Sequence, residues 1–317
     1  MIRRSKYMSK SVAVVGAGLV GRGWAIVFAR AGHDVCLFDV TEKKIADAVR
    51  AIEENLADLA ANGLLASAGE IRGRITGTTD LETALQKVGW VQECAFETVE
   101  TKREIFTTID EKAPSDATLA SSTSTFPGSA FTSDLQGRHR CLVAHPINPP
   151  YLIPLVEIVP TPWTLPEITD GARKFMLSVR QVPIVLRREI PGFVVNRLQV
   201  AVLSEAFRLV EDNVISVADL DRAIADGLGL RWAFMGPFET IDLNAPGGIR
   251  DYVQRFGQPY YEIAVEQAQP RRWHDALITK VEQERRKMLS ADQLQARQRW
   301  RDLYLMSIVA SKNSRTG

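Results

Sequence analysis

Apolar residues recur along the first 190 positions with two alternating periods. Short β-branched runs read as buried strands: Ser11 to Val15, Asp34 to Phe38, Trp90 to Cys94, Thr118 to Ser121, Cys141 to Ala144, Leu155 to Val159 and Val182 to Leu186. A further short strand is expected near Ile75. Between them the period lengthens. Glu42 to Ala61 carries Ile45, Val49, Ile52, Leu56 and Leu59 at three- and four-residue spacing, the mark of an amphipathic helix. Leu19 to Ala31, Lys102 to Glu111 and Glu167 to Val179 also read as helices. Such alternation predicts an α/β domain whose mostly parallel sheet is covered on both faces, with ligands at the carboxyl ends of its strands. From Pro191-Gly192 the texture changes to a long helical run through Val210, and Trp273 onward is helical and charged. The expected division is an α/β domain over residues 1–189 and an all-α domain over residues 190–317.

The turn after the first strand carries specific chemistry. Gly16-Ala17-Gly18-Leu19-Val20-Gly21 is a Gly-x-Gly-x-x-Gly sequence between a strand and a helix. Gly16 permits the tight turn, Gly18 removes the side chain that would block a pyrophosphate, and Gly21 lets helix and strand pack closely. Leu19 and Val20, at the helix start, complete the expected cofactor-binding loop. Asp39 closes the second strand, where an acid takes the ribose hydroxyls of NAD and repels the extra phosphate of NADP. Lys43 and Lys44 stand close enough to weaken that repulsion. The domain is therefore expected to be Rossmann-type, with NAD as cofactor.

Composition narrows the partners. At 317 residues the chain exceeds the usual single-domain size, in agreement with two domains. A net charge of +1, with no basic block, points away from nucleic acid and anionic membranes. No run of apolar residues is long enough to span a bilayer. Arg3, Arg4, Lys6 and Lys10 before an apolar run imitate a secretory signal, but the glycine fingerprint accounts for that run and Arg22 breaks it early. Residues 1–8 read as a loose extension of a cytoplasmic protein. Cys36, Cys94 and Cys141 are odd in number and widely spaced, which fits free thiols in a reducing compartment and no metal site.

Of the four histidines, His33, His139 and His274 fit solvated or structural roles. His145 closes a strand at the ligand-binding edge, and the proline-rich turn Pro146 to Tyr151 leads to a strand that holds Glu157 between apolar neighbours. A carboxylate inside a strand is costly without a partner, and a histidine one loop away can supply it. As a pair they could oxidise an alcohol: His145 removes the hydroxyl proton, while Glu157 fixes the imidazole tautomer and stabilises the imidazolium. A core histidine bonded to a structural glutamate would show the same pattern.

With these motifs the chain resembles the 3-hydroxyacyl-CoA dehydrogenase superfamily, and within it the branch of lambda-crystallin and L-gulonate 3-dehydrogenase. Gly16 to Gly21 followed by Arg22-Gly23-Trp24-Ala25 resembles that branch. Ser121 to Ser124 resembles the serine loop that hydrogen-bonds the substrate hydroxyl, with Ser124 in the functional place. The segment from Ala144 to Pro160 resembles the catalytic His–Glu segment. Pro191 to Leu198 resembles the interdomain motif that puts Asn196 beside the substrate, and Phe234 to Glu239 a motif of the helical domain. Glu97 and Lys102 match positions on the nicotinamide side of the cofactor. The resemblance also implies a homodimer built through the helical domain.

The substrate expected is a short free 3-hydroxy acid, L-gulonate-like. Residues 45–86 contain no lysine, and only Arg50, Arg72 and Arg74 offset their acids, which makes a poor site for CoA phosphates. Arg231, just before the helical-domain motif, is the expected clamp for the carboxylate. A 3-hydroxyacyl-CoA or carnitine dehydrogenase is the alternative within the superfamily. A crystallin-like structural protein or NAD-binding regulator is the alternative outside catalysis; loss of His145, Glu157 or Ser124 would favour it, and all three are present.

Overall fold

The computed structural model describes residues 11–315, so the expected extension over residues 1–8 lies outside the described residues. The first elements are β1 (Ser11–Val15), α1 (Leu19–Arg30), β2 (Asp34–Phe38), α2 (Glu42–Ala61), α3 (Ala68–Gly73), β3 (Ile75–Thr78) and α4 (Leu81–Leu85). Then come β4 (Trp90–Glu93), α5 (Val99–Lys112), β5 (Thr118–Ser121), α6 (Ser129–Thr132), β6 (Cys141–Pro146), β7 (Leu155–Pro160), α7 (Pro166–Ser178) and β8 (Val182–Val185). The helical remainder is α8 (Val195–Glu211), α9 (Val217–Arg222), a π-helical turn (Ala223–Leu228), α10 (Gly229–Trp232), α11 (Pro237–Leu243), α12 (Gly248–Gln267), α13 (Asp275–Met288) and α14 (Leu294–Arg315).

All eight strands join one sheet in the order β3-β2-β1-β4-β5-β6-β7-β8. The first six run parallel, β7 is antiparallel to β6, and β8 is parallel to β7. The strand order reverses between β1 and β4, and ligands of such sheets bind in the crevice beyond that point. Alternation along β1 builds the two faces. Val12 and Val14 pack with Trp24, Ile26 and Phe28 of α1, whereas Ala13 and Val15 pack with Phe106 and Ile109 of α5. Trp24 stacks on Phe28 at 5.1 Å between centroids, and Phe28 and Trp90 both meet Phe175 of α7. Burying each such side chain is worth roughly 1.5–3 kcal/mol, so α1 is firmly seated under the glycine turn.

Three boundaries differ from the sequence reading, each for a local reason. α5 starts at Val99 because the Thr98 hydroxyl accepts from the Thr101 N–H and caps the helix. β6 continues through His145 to Pro146 because His145 pairs in register with Glu157 of β7. α8 starts at Val195, not at Pro191-Gly192, because Gly192 and Phe193 both take positive φ (71° and 51°) and turn the chain first.

By compactness the chain forms two units, 11–196 with 299–315, and 197–298. The first unit therefore reaches past residue 189, and it also holds the last residues, which the sequence reading assigned to the helical domain. Met306 is buried in its core, and Arg299 pairs with Asp58 of α2 at 2.9 Å. The second unit is all-helical, as expected. There the buried Arg208 donates to the carbonyls of Glu266, Gln267 and Gln269, closing the C-terminal end of α12. Among the described residues, no helix is long and apolar enough to cross a membrane.

Candidate active site

β1 runs into Gly16, which has a φ of +111°, and a Cβ there would lie 2.6 Å from the Cys94 carbonyl oxygen. Both facts demand glycine. A Cβ on Gly21 would strike the Gly16 carbonyl oxygen, so the helix can pass this close to the turn only without a side chain. Gly18 is different, because a Cβ there would meet nothing within 4 Å. No side chain caps α1 and no acid stands in its first turn. The helix start at Leu19 and Val20 is thus left to an anion.

Asp39 follows β2 directly. Its Oδ2 accepts from the Ala17 N–H at 2.9 Å and its Oδ1 from the Val40 N–H at 2.8 Å, while Lys44 Nζ stands 3.1 Å from Oδ1. Burial pushes the carboxyl pKa up, but the two N–H groups and Lys44 outweigh it and hold it below the ordinary range. A bare helix start beside an ionised ribose acceptor fits NAD. Gly16, Gly18, Leu19, Val20 and Gly21 would hold the pyrophosphate and Asp39 the adenosine ribose.

The serine loop after β5 is fixed from below by buried charge. Glu93, the last residue of β4, is fully buried and accepts from the Ser121 hydroxyl at 2.5 Å and the Ala95 N–H at 2.7 Å. Lys102 of α5 is buried too, with Nζ 3.1 Å from Glu93 Oε1 and 3.0 Å from Glu97 Oε2. Burial works against the Lys102 charge, but the two glutamates overcome it and hold its pKa above the ordinary value. The other oxygen of Glu97 accepts from the Thr123 hydroxyl and the Ser124 N–H, both at 2.7 Å. Asn196 Nδ2 donates to the Ser124 carbonyl at 2.6 Å. The backbone of Ser124 is therefore held on both sides, and its hydroxyl has no hydrogen bond among the described residues. Lys102 has no open path to a ligand here: it grips Glu97, and Glu97 grips the serine loop.

Ser122, by contrast, is fully engaged. Its hydroxyl oxygen accepts from Trp24 Nε1 at 3.2 Å and Gln92 Nε2 at 2.7 Å, and Cys94 Sγ is 3.2 Å away. Gln92 takes the Trp90 Nε1–H at 3.0 Å and donates to the Ala144 carbonyl at 3.3 Å, just before His145. Sequence reasoning missed Gln92 and Glu93. Both are polar residues in a four-residue strand that is buried throughout, a burial that the strand's neighbours impose.

His145 and Glu157 are direct partners across the antiparallel pair β6–β7, and His145 Nδ1 lies 2.8 Å from Glu157 Oε2. Both side chains are buried. Glu157 Oε1 accepts from the N–H groups of Val194 and Val195 at 2.8 and 3.1 Å, the start of α8. Burial alone would raise the Glu157 pKa, but the His145 bond and these N–H groups bring it below the ordinary glutamate value. An ionised Glu157 requires a proton on Nδ1, so in the neutral imidazole the lone pair lies on Nε2. Phe193, fully buried at positive φ, lies 5.6 Å from the imidazole between ring centroids. That strained turn is what aims the Val194 and Val195 N–H groups at Glu157.

Arg231 is exposed on α10 of the second unit. Cys36, Cys94 and Cys141 are unpaired. Among the described residues no cluster of His, Cys, Asp and Glu could hold a metal ion.

Residues 11–190 match the model of the 3-hydroxyacyl-CoA dehydrogenase NAD-binding domain, and residues 192–279 match that of its C-terminal domain. The chain belongs to the 3-hydroxyacyl-CoA dehydrogenase family. A member of this family described as lambda-crystallin homolog, from Bos taurus, is 42% identical over 315 residues, 95% of each chain. An L-carnitine dehydrogenase of Streptomyces griseus is 38% identical over 249 residues, covering 78% of this chain and 74% of its own. Among solved structures, 5-formyl-3-hydroxy-2-methylpyridine 4-carboxylic acid 5-dehydrogenase, an NAD+-dependent dismutase, aligns over 98% of this chain and 99% of its own. Its TM-score is 0.83 at 26% identity. This member of the 3-hydroxyacyl-CoA dehydrogenase family is an NAD-dependent dehydrogenase.

Proposed function

We propose that this dehydrogenase oxidises the 3-hydroxyl of a short, free, L-gulonate-like hydroxy acid, with His145 as general base. The observation that carries the reading is the 2.8 Å contact of His145 Nδ1 with Glu157, which leaves Nε2 free to take a proton. The Ser124 hydroxyl and the remaining polar atoms of the Asn196 amide hold the substrate hydroxyl. Nε2 takes the hydroxyl proton as the C3–H bond breaks, and the C3–O bond becomes a carbonyl. NAD, held by Gly16, Gly18, Leu19, Val20, Gly21 and Asp39, would supply the acceptor for the hydride that leaves C3. Glu157 stays ionised, keeps Nδ1–H in place and stabilises the imidazolium.

A free acid is favoured over a CoA thioester by the arginines of the segment after β2, which are already spent. Arg50 pairs with Asp47, Arg72 with Glu53, and Arg74 with Asp34. CoA phosphates would have to compete with those acids. Arg231 is the proposed carboxylate partner. Exposed Trp232, Phe234, Phe238 and Phe256 in the second unit support a homodimer, which sedimentation would test. The free thiols support a cytoplasmic location.

The deciding experiment is a substrate panel of 3-hydroxy acids, carnitine and 3-hydroxybutyryl-CoA, followed by NADH absorbance. The highest kcat/KM should fall on a free 3-hydroxy acid. A preference for the CoA thioester or for carnitine would overturn the substrate assignment. Absence of turnover with the whole panel would place the substrate outside all three classes.

A further inference from the structure

Two lysines follow Asp39, and the structure separates their roles. Lys43 Nζ pairs with Asp47 Oδ2 at 2.6 Å, one turn along α2. Glu42 accepts from the Thr79 hydroxyl. Lys44 alone of these turns back, with Nζ 3.1 Å from Asp39 Oδ1. Its backbone N–H is held by the Thr41 hydroxyl, which sets where the side chain starts. The pair is asymmetric in a useful way. Asp39 is 12% exposed and is fixed by the Ala17 and Val40 N–H groups, whereas Lys44 is 59% exposed on a flexible stem.

In Rossmann folds the acid at this position rejects NADP because its charge faces the 2′-phosphate. Here that charge is balanced at contact distance by an ammonium. We infer that Lys44 sets how strongly this chain rejects NADP, by neutralising Asp39 and offering its ammonium to a 2′-phosphate. NADH lacks that phosphate, so its binding draws little on Lys44. Asp39 keeps two backbone N–H groups whatever Lys44 does, and it remains in place for the ribose hydroxyls. NAD therefore stays the preferred cofactor, with a preference narrower than Asp39 alone would impose. The inference rests on NAD binding, and it stands or falls independently of the substrate.

The test is equilibrium binding of NADH and NADPH to the full chain without substrate, read by nicotinamide fluorescence. The variants are Lys44→Gln, Lys44→Glu and the neighbour control Lys43→Gln. In Lys44→Gln the ratio of NADPH to NADH Kd should rise by about tenfold, and in Lys44→Glu further, since an unscreened charge at this distance acts on that scale. NADH Kd should stay within about twofold. A ratio change below threefold, or an equal loss for both cofactors, would overturn the inference. So would a Lys43→Gln shift as large as that of Lys44→Gln, because general surface charge would then be responsible.

Discussion

His145 and Glu157 come from strands that run in opposite directions, and the antiparallel register sets them side by side. Their 2.8 Å contact is therefore built by the backbone ladder as well as by the side chains. β7 is the first strand to reverse the direction of the sheet, so the reversal and the dyad arise together. A parallel β7 would reach this edge of the sheet with its other end.

If Nε2 is the base, removing it should affect chemistry and leave cofactor binding intact. His145→Gln keeps a polar group near Glu157 and loses the base. Turnover should fall by about a hundredfold or more, the usual contribution of general base catalysis. NADH fluorescence titration should give an unchanged Kd. Near-normal turnover in this variant would place the base elsewhere.

Glu157 makes a prediction about pH as well as rate. Its folded pKa lies below the ordinary 4.5, so the ionised form stabilises the fold. That contribution is complete above about pH 4.5 and is lost as the pH falls through the lower folded pKa. In Glu157→Gln the acid-side loss of Tm should be shallower than in wild type over that window, and kcat should fall because the imidazolium loses its counter-charge. Parallel acid melting curves for the two proteins would show that Glu157 is not the linked group.

Much of this site is legible in the amino-acid sequence, and the parts that are not share a cause. The glycine turn, Asp39 and the His–Glu pair each follow from a local pattern tied to strand ends. The hydrogen-bond network of Trp24, Trp90, Gln92 and Ser122 depends on which strands become neighbours, β4 beside β5, and no spacing along the chain reveals that. Lys102 illustrates the same limit. A lysine in an amphipathic helix reads as exposed or ligand-binding, until β4 places Glu93 beneath it. The return of α14 to the first unit is hidden because its apolar stretch, Leu303 to Ala310, follows a charged segment and reads like any helix of an all-α domain.

Lys102→Met should test that buried cluster. Removing one partner of a buried ion pair leaves the other charge uncompensated, at a cost of about 3–5 kcal/mol. Burial already drives the Glu93 pKa upward against Lys102, so Glu93 should take up a proton in the variant. A large drop in Tm at neutral pH that shrinks toward acid pH is the expected result. A variant as stable as wild type at pH 7 would mean that the pair is not what holds Glu97 and the serine loop.

The last prediction concerns the charge of the substrate. A free hydroxy acid brings a carboxylate, and removing it from water without a cation is expensive. Arg231 is exposed on α10, and its guanidinium makes no ion pair among the described residues, so it is available to a ligand. Arginine can hold a carboxylate through two parallel hydrogen bonds, and charge-assisted bonds of this kind are worth about 1.5–3 kcal/mol. That corresponds to roughly a 10- to 100-fold rise in KM for free 3-hydroxy acids in Arg231→Met. NADH Kd and Tm should barely change, because the side chain is exposed. The matching neutral methyl ester supplies the control, since its kcat/KM should be nearly the same in both proteins. Equal losses on acid and ester would make Arg231 a structural or dimer contact, and no loss on the acid would remove it from the site.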